Sequence, residues 1–188
     1  MAAFLDLELA QRAIAGDAAA LQVVWHGSRR WLCGVLLAHA GPGSEVEDLL
    51  QEVALKFVRE VHRLQDPSAL AAWLRAVARN TARSHLRRRR RERPRSDSAD
   101  VVDPASMPRP AWTPADRVRE LVERMPVEYR EALLLHSIHG LSHREIAAAL
   151  QVPVTTVGTR LCRARAMLRC ALDHERLHEL SGCKEQRT

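Results

Sequence analysis

Residues 141–169, LSHREIAAALQVPVTTVGTRLCRARAMLR, constrain the chain more than any other stretch. Ser142 stands where a helix begins, and Glu145 follows three residues later. A Ser hydroxyl at a helix start accepts from the N–H three residues on, while the Glu carboxylate reaches back to the Ser N–H. Ile146, Ala147 and Leu150 then recur at helical spacing. Pro153 lacks a backbone donor and suits a turn or the first turn of a second helix. That helix is expected to place Val154, Val157, Leu161, Ala164 and Leu168 on its inner side. Arg160, Arg163, Arg165 and Arg169 fall largely on the remainder. Two short helices about a tight turn, the second basic, form the layout of a helix-turn-helix whose second helix enters a DNA major groove. An ordinary helical hairpin with a solvated basic face is the competing reading, because such patterns are short and degenerate.

The rest of the chain is consistent with an all-α fold. It has 188 residues, 46% of them hydrophobic and only 4% aromatic, with Ala, Leu, Arg and Glu abundant, which favours helices over sheets. A net charge of +6 points to an acidic partner, nucleic acid above all. No apolar run approaches the roughly 20 residues that span a bilayer. The N-terminal MAAFLDLELAQRA carries acidic residues early and no basic segment, so a secretory signal is not expected. Cys33, Cys162, Cys170 and Cys183 show no disulfide-framework spacing, and a reducing cytoplasm fits them best.

Three parts are expected: a helical domain over 1–91, a linker over 92–114 and a second helical domain over 115–188. In the first, Asp17 is placed to cap a helix over 18–37. The string SEVE suggests a capping box at Ser44 and Glu47, ahead of Val46, Leu49, Leu50, Val53, Phe57, Val58 and Val61 at helical spacing. Asp66-Pro67 starts a further helix with Leu70, Trp73, Leu74, Val77 and Ala78 as its apolar residues, running into the basic string RSHLRRRRRERPR. The linker holds five of the nine prolines together with Asp97, Asp100 and Asp103, a composition that builds no core and reads as flexible. Beyond it, one helix through Val118, Leu121, Val122 and Met125 stops at Pro126, and another from Tyr129 ends near Gly140.

A second constellation lies in 71–91. Trp73, Arg75, Arg79, Asn80 and Arg83 supply an aromatic, an amide and several cations along one helix. Aromatic faces stack on unpaired bases, cations hold the backbone, and Asn bonds base edges. For Trp73 taken alone, a core position is the simpler reading.

With both constellations in view, the chain resembles a small, two-domain sigma factor of bacterial RNA polymerase, of the extracytoplasmic-function type. EDLLQEVALKF (47–57) resembles that family's polymerase-docking helix, AAWLRAVARNTARSHLRRRRR (71–91) its −10 element helix, and 125–169 its −35 element domain. The resemblance implies that Asp48, Gln51 and Glu52 face the polymerase clamp. It assigns Trp73, Arg75, Arg79, Asn80, Arg83 and Arg87 to the −10 element, with 65–70 holding a flipped base and 87–91 on phosphates. Arg144, Glu145, Thr155, Thr156, Val157, Thr159, Arg160 and Arg163 are assigned to the −35 element, Arg160 as base reader and Arg163 as phosphate contact. The implied partners are core RNA polymerase, promoter DNA and an anti-sigma factor. Catalysis and cofactors are not implied.

Two departures from the family pattern stand out. Ser84 replaces a common Asp, and Gly158 replaces a Lys in the recognition helix, where Gly costs roughly 1 kcal/mol relative to Ala. Cys170, His174 and His178 share a helical face with Cys183 beyond, but a straight helix spreads the first three over about 12 Å, too far for one ion. His136, His139 and His143 flank Gly140 without a recognisable ligand spacing. No metal site is expected. Rival readings are a nucleic-acid-binding protein or helix-turn-helix regulator without polymerase docking, and a metal-dependent nuclease. The docking string argues against the first, and the lack of a carboxylate cluster against the second.

Overall fold

The computed structural model describes residues 6–41, 44–92 and 113–185, with the side chains of 90, 114, 115 and 175–185 left aside. The expected linker therefore lies almost wholly outside the described residues, with Pro94, Pro104, Pro108, Pro110 and its three Asp. All regular structure among the described residues is helical: α1 (Leu7–Ile14), α2 (Ala18–Ala40), α3 (Val46–Glu60), α4 (Leu70–Glu92), α5 (Pro114–Arg124), α6 (Val127–Ser137), α7 (His143–Leu150) and α8 (Val154–Glu185). None is long and apolar enough to cross a membrane.

Local chemistry accounts for most helix starts. Asp17 caps α2 by accepting from the N–H groups of Ala19 and Ala20. Asp66 accepts from the Ser68 N–H, but the turn it starts, Pro67–Ala69, is a short 3-10 helix that leads into α4. Thr113 and Asp116 form a capping box at α5, one position ahead of where the sequence reading began that block. At α3 the expected box is absent: Glu45 is the cap residue with no side-chain bond, Ser44 Oγ donates to the Ala40 carbonyl, and Glu47 pairs with Arg29. A cation on the neighbouring helix outcompetes the backbone N–H for the Glu47 carboxylate.

The helix-turn-helix forms as expected. Ser142 and Glu145 make both arms of their box, α7 ends at Leu150, and Gln151 turns the chain with φ 52°. The Pro153 carbonyl then accepts from Thr156 and Val157 at the start of α8. Gly140, at φ +60°, reverses the chain between α6 and α7, a conformation that glycine adopts without steric cost.

The two halves share one core. Leu32, Leu36, Leu49, Val53, Phe57 and Leu74 from the first cluster with Leu135, Ile146, Leu150, Val157 and Leu161 from the second. Gly34 makes the close approach of α2 to α6 possible, since a Cβ there would lie 2.5 Å from Leu135 Cδ2. Two residues expected inside lie outside: Val58 is 59% and Val154 44% exposed. Helical periodicity admits flanking positions to an apolar set, and only packing decides which of them are covered.

Ser142→Ala should cost about 1 kcal/mol, lowering Tm by about 2–4 °C, because it removes the hydroxyl arm of the α7 box and leaves only the backbone N–H of residue 142 donating to Glu145. Thermal unfolding followed by circular dichroism checks this; an unchanged Tm would show the box to be energetically idle.

Candidate nucleic-acid and polymerase interfaces

Three exposed stripes and one buried seam carry the polar side chains of interest. The first stripe lies on α3. Asp48 and Gln51 are exposed, Glu52 is partly covered, and Leu55 (55%) and Val58 (59%) continue the same side. The spacing from Asp48 through Gln51 and Leu55 to Val58 follows one helical face. The outward placement of Leu55 and Val58 was not read from the sequence; its mark there is apolar character displaced from the period of the buried Leu49, Leu50, Val53 and Phe57.

The second stripe lies on α4, where the expected constellation divides. Trp73, Asn80 and Arg87 recur every seven residues along one side, with Arg83 beside them. Asn80, Arg83 and Arg87 are exposed, and Arg87 Nη2 donates to Ser84 Oγ at 3.0 Å. Trp73 is half-buried, its ring 6.4 Å from Phe57, which in turn stacks on Trp25. One edge of the indole is therefore core. Arg79 is partly buried, and its Nε is covered without a partner. Arg75 points away from the stripe and into the seam.

The third stripe is the outer side of α8. Thr155, Thr159, Cys162 and Arg163 are exposed, while Val157, Leu161 and Ala164 are buried. Thr156 is partly covered, Arg144 is exposed, and Glu145 is occupied by its capping box. Arg163 approaches Tyr129 Oη at 3.4 Å and is otherwise free to extend. Arg160 is half-buried, with Nη1 covered and unpartnered. It sits one helical step nearer the core than a fully outward position, so the expected ranking of Arg160 ahead of Arg163 as base reader does not follow from the geometry. Cys170 is exposed on the same helix, and the side chains of His178 and Cys183 lie outside the described residues. Among the described residues, no group of His, Cys, Asp and Glu is arranged to hold a metal ion.

The seam between the halves centres on Glu131 of α6, which is 2% exposed. His39 Nε2–H donates to one carboxylate oxygen at 2.9 Å, and Arg75 Nη2 donates to the other at 2.5 Å. Arg75 Nη1 also donates to the Leu150 carbonyl at 3.3 Å, and Arg130 Nη1 to the Ala38 carbonyl at 3.1 Å. His139 packs beside Gly34, and burial together with nearby Arg30 lowers its pKa. Burial pushes the Glu131 carboxyl up, but hydrogen bonds and charge from His39 and Arg75 outweigh it and hold the carboxyl below its ordinary value.

A helical scaffold that presents an amphipathic face, a mixed aromatic and cationic stripe and a helix-turn-helix defines a class of DNA-binding proteins that also dock on another protein. Comparison with known proteins makes the class particular. Residues 25–92 match the family model for sigma-70 region 2, and residues 115–168 match that for sigma-70 region 4. The chain is 33% identical to the ECF RNA polymerase sigma factor EcfG of Rhodopseudomonas palustris, over 71% of this chain and 74% of that protein. It is 32% identical to the ECF RNA polymerase sigma-E factor of Escherichia coli, over 69% and 75%. To the RNA polymerase sigma-H factor of Pseudomonas aeruginosa it is 29% identical, over 89% and 93%. Among solved structures, CnrH in complex with the cytosolic domain of CnrY superposes with a TM-score of 0.57 at 25% identity, covering 90% of this chain and 98% of that one. The chain belongs to the extracytoplasmic-function sigma factors of bacterial RNA polymerase. It is a transcription initiation factor that associates with core polymerase and directs it to promoters.

The depressed pKa of Glu131 fixes the sign of a pH effect. Its ionised form stabilises the native state above the ordinary carboxylate range, and this contribution is lost as pH falls through the lower folded-state value. The difference in urea-unfolding free energy between wild type and Glu131→Gln should be largest near neutrality and shrink below about pH 4. A difference that stays constant with pH would contradict the assignment.

Proposed function

We propose that the three exposed stripes divide the work of promoter recognition. The α3 stripe of Asp48, Gln51 and Glu52, extended by Leu55 and Val58, docks on the polymerase clamp. Acidic groups beside exposed aliphatic side chains suit a basic surface with an apolar centre. The α4 stripe takes the −10 element as a single strand: Trp73 offers its free indole edge to a base, Asn80 a base-edge hydrogen bond, and Arg83 and Arg87 the backbone. The α8 stripe reads the −35 element as duplex, with Thr155, Thr159 and Arg163 towards the groove and Arg144 on phosphate.

The observation that carries this reading is the outward placement of Thr155, Thr159 and Arg163 on a helix whose opposite side, Val157, Leu161 and Ala164, is fully buried. The chain itself performs no chemistry; polymerisation belongs to the core enzyme. It works in the cytoplasm, where polymerase and promoters are. An anti-sigma factor restrains it, a reading supported by its likeness to CnrH, which was solved with the cytosolic domain of CnrY. Run-off transcription with core polymerase and fragments of the source genome tests the whole reading: specific initiation supports it, and none would refute it.

Asp48→Arg combined with Leu55→Ala should weaken core polymerase binding about tenfold or more, with unfolding unchanged, since central interface residues are each worth upwards of about 1 kcal/mol. Fluorescence anisotropy against core enzyme measures it. Arg163→Ala should cost about 1–3 kcal/mol and relax the preferred −35 sequence if the residue reads a base. If every sequence weakens alike and the salt slope falls by about one, Arg163 is a phosphate contact instead.

A further inference from the structure

Among the α8 arginines whose side chains are described, Arg163 alone has a hydrogen-bond partner. Arg165 and Arg169 are exposed, and Arg160 has its Nη1 covered and unpartnered. The partner of Arg163 comes from another helix. Tyr129 lies in the first turn of α6, where the Pro126 carbonyl accepts from the N–H groups of Tyr129 and Arg130. Its ring packs against the cluster of Met125, Leu133 and Ala164. Ala164 adjoins Arg163 on α8, so the ring and the guanidinium are neighbours where α6 meets α8. Two side-chain torsions place the phenol, and a packed ring fixes both. The hydroxyl is thereby held at the rim of the cluster, and Arg163 Nη1 donates to it at 3.4 Å.

We propose that Tyr129 is a positioning residue for duplex recognition, its hydroxyl holding the Arg163 guanidinium on the Thr155–Thr159 side of α8 before DNA arrives. This rests on the assignment of Arg163 to the duplex. The phenol engages one of the five N–H donors of the guanidinium and leaves four for a base edge or a phosphate. A long side chain that is already held loses less rotamer freedom on binding than one that sweeps through solvent. A neutral phenol also suits the task better than a carboxylate would. It orients the cation without cancelling the charge that attracts phosphate. Arg165 and Arg169, without such a support, supply charge with no fixed direction.

Tyr129→Phe removes the hydroxyl and keeps the packed ring, so thermal unfolding of the full chain should not change. The binding test uses holoenzyme assembled from core polymerase and the full chain. Its probe is a fluorescent promoter duplex whose −35 window is the sequence that wild-type holoenzyme selects from a randomised library. Tyr129→Phe should weaken binding about three- to tenfold, the range expected for leaving one long side chain unordered. Placed on Arg163→Ala, the same substitution should have no further effect, because the hydroxyl then has nothing to hold. A purely structural role for Tyr129 would not produce that coupling. Unchanged binding by Tyr129→Phe overturns the proposal. An equal loss on both backgrounds also overturns it, since the hydroxyl then acts on DNA or on helix packing without Arg163. If Arg163→Ala alone leaves binding unchanged, the assignment of Arg163 to the duplex has failed, and the positioning role falls with it.

Discussion

A carboxylate with 2% of its surface exposed cannot remain charged without partners, and Glu131 finds its partners on the other half of the chain. Removing one partner of such a buried cluster costs about 3–5 kcal/mol, whereas the same contact at the surface is worth a fraction of that. The arrangement of α6 against α2 and α4 therefore depends on a few polar atoms set in an otherwise aliphatic core. Aliphatic packing alone tolerates many relative orientations of two helical halves. The fork of Arg75 and the ring of His39, each needing its own oxygen, select one of them.

The geometry also separates the sides of the molecule by exposure. Helix α3 packs on α2 and α4 and turns its acidic and apolar residues outward. Helix α4 is divided along its length, with the Trp73, Asn80 and Arg87 side open and the Arg75 side enclosed. Helix α8 keeps its Thr155, Thr159 and Arg163 side open while Val157 and Leu161 anchor it in the shared core. The three exposed stripes thus share no residue, whereas the seam takes Arg75 from α4.

Much of this was legible in the sequence. The box at Ser142, the cap at Asp17 and the Pro at 67 are short-range chemistry, and each formed as its local pattern requires. The helix-turn-helix followed from the same rules, and its inner residues are buried apart from the exposed Val154 and the partly covered Leu168. The failures are all long-range. Glu47 left its capping role for Arg29, eighteen positions away. Arg75 left the expected constellation for Glu131, fifty-six positions away. Neither partner can be inferred from helical period, because period describes which side of a helix a residue occupies and not what will cover it. Nothing in the sequence around Glu131, set between Arg130 and Ala132, marks it as buried. Gly34, within α2, is the socket for Leu135, and only the packing of α6 against it shows this.

Gly158 leaves a different kind of space. It lies in α8, and a Cβ built there would meet nothing within 4 Å. Helix α8 thus carries a vacancy next to Thr159 that costs helix stability and gains no contact. A Cβ can enter it without repacking. A single substitution at this position has room to start a side chain beside Thr155 and Thr159, so under the proposed duplex reading the α8 surface can change by mutation while the shared core stays as it is.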